Sequence, residues 1–94
     1  MQGKENCLQA RFFGRVQGVG FRYFVQEKAQ ELGLKGWVRN CKDESVELEA
    51  FGERKNLELF LKIIQEQHAF ARVDRVEKNY CSRKGSETGF SIKF

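Results

Sequence analysis

The chain has no proline, a single histidine, a single tryptophan and only three cysteines. Each scarcity excludes something. No apolar run approaches the roughly 18 residues that a membrane span requires, so no membrane partner is expected. The opening MQGKENC lacks the apolar stretch of a secretory signal, and a soluble, cytoplasmic protein is expected. Cys7, Cys41 and Cys81 make neither a CxxC pair nor an even set, which argues against a metal or disulfide framework. They read as reduced thiols, with a Cys7–Cys81 bridge left open only if the two ends of the chain meet. There is no Ser-His-Asp set, no pair of catalytic carboxylates and no HExxH. Neither a metal, another cofactor nor a buried general base is therefore expected, and the lone His68, near a helix end, reads as a surface or capping residue.

What is present is ample for packing. Ninety-four residues, 40% hydrophobic and including nine Phe, suffice for one core and not for two, so residues 1–94 are expected to form a single domain. Nothing suggests a large apolar surface, and a monomer is the default. The net charge is +4, and it is localised: residues 11–42 carry seven basic groups against Glu27 and Glu31, whereas the remainder carries ten basic and eleven acidic groups. The whole basic excess thus lies in one third of the chain. That pattern suggests an anion held at one place, not a surface coated for polyanions.

Periodicity orders the elements. Leu8 to Val16 reads as a strand. Phe21, Phe24, Val25, Ala29 and Leu32 recur at helical spacing, and Gly33 supplies a stop. The run KGWVRN, residues 35–40, reads as a second strand, with Trp37 as a packing residue. Val46, Leu48 and Ala50 alternate with Glu47 and Glu49, which gives a half-buried third strand with a solvated acidic side. Leu57, Phe60, Leu61 and Ile64 mark a second helix. Val73 and Val76, three apart, predict a fourth strand with a bulge. Gly85-Ser86 reads as a surface turn, and Phe90, Ile92 and Phe94 alternate to the last residue. The order βαββαβ plus a short C-terminal strand predicts an α+β, ferredoxin-like α/β sandwich: an antiparallel sheet with two helices on one face.

The most informative stretch is GRVQGVGFR, residues 14–22. Gly18 and Gly20 fall between a strand and a helix, where N–H groups are left unpaired at the positive end of the helix dipole. Glycines allow such groups to converge on one small anion, and Arg22 adds a planar fork for two phosphate oxygens. A Walker loop is excluded because Gly20 is followed by Phe-Arg, and a dinucleotide fingerprint because Tyr23 stands where its third glycine would be. Two readings stand for the loop: a tight turn, or a phosphate cradle. Two also stand for Asn40, which closes GWVRN: a turn residue, or a carboxamide that orients water beside a bound phosphate.

GRVQGVGFR followed by GLKGWVRN closely resembles the paired signatures of the acylphosphatase family, and ARVDRV and the terminal GFSIKF fit its later pattern. The resemblance runs from about Leu8 to Phe94. It implies metal-independent hydrolysis of the carboxyl-phosphate bond of a small acyl phosphate, with inorganic phosphate as product. Gln17, Gly18, Val19, Gly20, Phe21 and Arg22 would then hold the phosphoryl group, and Arg22 and Asn40 would be the catalytic pair. Two departures touch connections only: Glu44 in CKDES stands where the family usually has glycine, and EQHAFARV replaces a stretch that often contains Gly-Pro. The rival readings are a phosphate-binding module without turnover and a ferredoxin-like nucleic-acid-binding module. The strand SVELEAF, with its two glutamates, opposes the latter, and no nucleic-acid partner is expected. The sequence specifies neither the acyl group nor the base that deprotonates water.

Overall fold

The computed structural model describes residues 6–68, 70–82, 85 and 87–94. The elements follow the expected order: β1 (Asn6–Arg15), α1 (Phe21–Glu31), β2 (Lys35–Asn40), β3 (Val46–Gly52), α2 (Arg54–Glu66), β4 (Arg72–Cys81) and β5 (Phe90–Lys93). Helix α1 ends where Gly33 adopts φ +69°. Gly33 N–H then reaches the Gln30 carbonyl at 3.1 Å and Leu34 N–H the Ala29 carbonyl at 2.9 Å, the two bonds of a Schellman stop.

The sheet order is β4-β1-β3-β2-β5. β1, β2, β3 and β4 pair antiparallel, whereas β5 lies parallel to β2 and makes the sheet mixed. The expected bulge lies in β4. Phe13 pairs with Arg75 but Gly14 pairs with Val73, so Asp74 is the extra residue. Gly14 is required there: a Cβ at its φ of +128° would lie 2.3 Å from the Arg72 carbonyl oxygen. The bulge lies opposite the end of β1, immediately before the glycine loop.

Strand alternation directs Leu8, Ala10 and Phe12 of β1, Val38 of β2 and Val46, Leu48 and Ala50 of β3 into one buried cluster. Val25 and Ala29 of α1 and Leu57, Phe60, Leu61 and Ile64 of α2 cover it. The opposite face of the sheet is mostly polar. Trp37 lies on that face and is not a core residue; its ring is flanked by Lys93 at 4.6 Å and Arg39 at 5.6 Å. A small apolar patch on the same face holds buried Cys7 and Phe51, with Gly85 packed on the Phe51 ring. Gly85 is therefore more than an exposed turn, and Ser86 lies outside the described residues. Cys7 and Cys81 are direct register partners, so β1 and β4 set the two cysteines side by side, and both side chains are thiols. The last strand stops at Lys93; Phe94 extends beyond it, exposed.

The β2–β3 connection is a three-residue hairpin loop. Cys41 N–H bonds the Ser45 carbonyl at 2.8 Å, and Glu44 N–H returns to the Cys41 carbonyl at 3.1 Å. Such a loop needs its last residue in the left-handed region, normally supplied by glycine. Glu44 occupies it with φ +73°. A side chain there is strained, so Glu44→Gly should stabilise the protein by about 0.5–1 kcal/mol and raise Tm by roughly 2–6 °C. Glu44→Asn should gain part of this. Thermal unfolding by circular dichroism checks it, and an unchanged or lower Tm for Glu44→Gly would refute the strain.

Candidate active site

The loop between β1 and α1 is fixed from beneath by its apolar residues. Val16 and Phe21 are buried, Val19 packs against the same cluster, and the Phe21 ring meets Phe12 edge-on at 5.5 Å. The glycines between them turn the backbone outward. Gly18 and Gly20 have φ +74° and +79°, and a Cβ on either would meet nothing within 4 Å. They are therefore needed for conformation and not for close packing. Gly20 caps α1 without any side-chain hydrogen bond. Among the described residues, the N–H groups from Gln17 to Phe21 find no acceptor. An uncapped helix start with successive outward N–H groups is a nest for an anion.

Arg22 lies in the first turn of α1, where the dipole disfavours a cation. Its guanidinium stands 4.9 Å from the Phe94 ring and has no carboxylate partner among the described residues. Other arginines are differently placed. Arg11 and Arg39 share Glu47, Arg54 pairs with Glu58, Arg72 with Asp74 and Arg75 with Glu77. Of the basic residues between 11 and 42, those without such a partner among the described residues are Arg15, Arg22, Lys35 and Lys42, and two of these flank the glycine loop. Arg15 also lines an open cleft of about 600 Å³ with Gly14, Gln17, Gly18, Glu44 and Arg72.

Asn40 is the exposed last residue of β2, opposite Val46. The structure joins its strand end to the glycine loop. The Gln17 side chain donates through Nε2 to the carbonyls of Cys41 and Ser45, each at 2.9 Å. This use of the carboxamide was not legible in the sequence, because both partners lie more than twenty positions away. The π-contact of Arg22 with Phe94 was missed as well; the alternation of Phe90 and Ile92 marked only a strand face. His68 caps a turn as expected: its Nδ1 accepts from Phe70 N–H at 3.0 Å and Ala71 N–H at 2.8 Å. Its ring packs on Phe24 at 5.0 Å and Phe21 at 5.9 Å, so this turn braces the loop's anchor without glycine or proline. No group of His, Cys, Asp and Glu suited to a metal ion occurs among the described residues. No helix among them is long and apolar enough to cross a membrane.

The acylphosphatase family model matches residues 8–92. An acylphosphatase of Bacillus licheniformis is 53% identical over 81 residues, covering 86% of this chain and 90% of that protein. One of Salinibacter ruber is 41% identical over 91 residues, covering 97% and 96%. The crystal structure of acylphosphatase from Bacillus subtilis superposes with a TM-score of 0.90 at 35% identity, covering 95% of this chain and 99% of that one.

The hairpin beside Asn40 is also held by Asp43. Its carboxylate accepts from the buried Ser45 hydroxyl and, at 3.1 Å, from Ser45 N–H. These bonds, with Arg11 nearby, keep the carboxyl below its usual value of 3.8. A lowered folded pKa contributes stability above the ordinary value, and this is lost as pH falls through the lowered one. The natural protein should therefore exceed Asp43→Asn in stability at about pH 7, and the difference should shrink as pH falls from about 4 to about 2. Urea unfolding across that range tests this; a constant difference would contradict it.

Proposed function

Starting from the chain's membership of the acylphosphatase family, and hence from hydrolysis of acyl phosphates, we propose how its residues carry out that reaction. The N–H groups of Gln17, Gly18, Val19, Gly20 and Phe21 hold the phosphoryl oxygens, with the Arg22 guanidinium closing the cradle. Asn40 orients the attacking water. The observation that carries this reading is the pairing of an uncapped glycine-rich helix start with an arginine that has no carboxylate partner among the described residues.

The reaction suits so sparse a set of groups. Water adds to phosphorus while the bond from phosphorus to the carboxyl oxygen breaks. The products are a carboxylate and inorganic phosphate, with one proton released. The carboxylate leaves without protonation, so no general acid is needed. The water proton passes to an oxygen of the transferring phosphoryl group, which removes the need for a buried base. What remains is alignment and stabilisation of charge on the equatorial oxygens. Arg22 and the loop N–H groups supply that charge complement, so the reaction needs no metal. Residues 1–94 act as one domain, as a cytoplasmic monomer without a nucleic-acid partner. The pairing of Arg11 and Arg39 with Glu47, and of Arg75 with Glu77, on the open sheet face supports the last point.

Hydrolysis of benzoyl phosphate, followed by ultraviolet absorbance in the presence of chelator, tests this reading. Turnover should persist. Arg22→Ala should lower kcat/KM by about 10³-fold and weaken inhibition by phosphate, whereas Asn40→Ala should lower kcat by about 10²-fold with phosphate inhibition little changed. Phosphate binding without turnover in the natural protein would favour a binding module instead.

A further inference from the structure

We infer that Gln17 is a positioning residue: its side chain locks the strand end carrying Asn40 to the loop that holds the phosphoryl group. The inference rests on the roles proposed above for that loop and for Asn40.

The geometry of the carboxamide is the starting point. Its Nε2 lies 2.9 Å from the Cys41 carbonyl and 2.9 Å from the Ser45 carbonyl. Two carbonyl neighbours are compatible only with the donor end of the amide, so both N–H groups are committed to the hairpin. Neither carbonyl is otherwise unsatisfied. The Cys41 oxygen already accepts from Glu44 N–H at 3.1 Å, and the Ser45 oxygen from Cys41 N–H at 2.8 Å. Gln17 therefore adds a second donor to each, at the two sides of the hairpin mouth. Its purpose cannot be to rescue an orphaned acceptor.

The side chain also has no donor left for a phosphate. Gln17 can contribute to the cradle through its backbone N–H, while its side chain points to the neighbouring hairpin. Its backbone belongs to the phosphate loop, and its carboxamide grips the residue that follows Asn40 in the chain. Asn40 itself is exposed and ends its strand, so the ladder pair with Val46 holds it on one side only. Cys41 is the other side. The two halves of the reaction, phosphorus and water, are thereby carried by segments that one amide connects. In-line attack depends on the alignment of those halves, and a displacement of about 1 Å can cost about 10²-fold in rate.

The test uses two substitutions of nearly constant shape in the full-length protein. Gln17→Leu removes both donors, and Gln17→Glu turns acceptors toward the two carbonyls. Benzoyl phosphate turnover is measured together with the inhibition constant of inorganic phosphate, which also reports that each variant is folded. Both variants should lower kcat by about 10- to 100-fold while the phosphate constant changes less than about threefold. In an Asn40→Ala background, Gln17→Leu should lower the residual turnover by less than about twofold, because its effect passes through Asn40. Where that background leaves nothing to measure, the split between kcat and the phosphate constant decides alone. An unchanged kcat, a phosphate constant that rises in step with the loss of turnover, or equal losses in both backgrounds would each overturn the inference. Undiminished turnover in Asn40→Ala alone would instead remove the role proposed for Asn40, and the Gln17 inference with it.

Discussion

The site depends on a chain that must be anchored and open at the same place. Between β1 and α1 the backbone turns within five residues, and three side chains go inward: Val16 is buried, Val19 packs on the core, and Phe21 meets Phe12. The residues between them cannot also point inward, so the backbone there faces water. Glycine at 18 and 20 then gives positive φ without steric cost, and the N–H groups point away from the sheet. Burial of roughly two large side chains, each contributing about 1.5–3 kcal/mol, holds this exposed arc in place. The loop is thus anchored by what lies beneath it.

Charge is organised with the same economy. A net charge of +4 could have coated the surface. Instead Glu47 receives both Arg11 and Arg39, which raises the affinity of the Arg39 guanidinium for its proton, and Asp74 does the same for Arg72. These exposed pairs contribute little stability. Their consequence is electrostatic: they neutralise the open sheet face and leave Arg15 and Arg22 near the glycine loop. At the first turn of α1 the positive end of the helix dipole adds to the charge of Arg22.

Most of the fold was legible because side-chain periodicity is local. Val46, Leu48 and Ala50 announced both a strand and its buried side, and the three-residue gap between Val73 and Val76 announced the bulge at Asp74. The loop and Arg22 were legible for the same reason, since nine consecutive residues contain them. Which face Trp37 packs on was not legible, because an aromatic on a short strand gives no sign of which face is covered. That β5 would run parallel to β2 was likewise not legible, for side-chain periodicity carries no sign of pairing direction. The partners of Gln17, 24 and 28 positions away, depend on that same three-dimensional register.

The hairpin shows why such long-range contacts carry so much here. Glu44 holds a left-handed conformation that costs about 1–2 kcal/mol, in the loop whose ends Gln17 grips. An isolated hairpin with that residue would favour other turns. In the folded protein its alternatives are closed by a ladder on one side, the Asp43 carboxylate on Ser45 within the turn, and the Gln17 amide from the neighbouring loop. Each of these bonds contributes only about 1 kcal/mol, but together they over-determine one backbone path. The mechanism proposed for the site uses neither a metal nor a buried base, so alignment is its chief means of lowering the barrier. In so small a chain, local strain is tolerated where several weak bonds converge, and they converge beside Asn40.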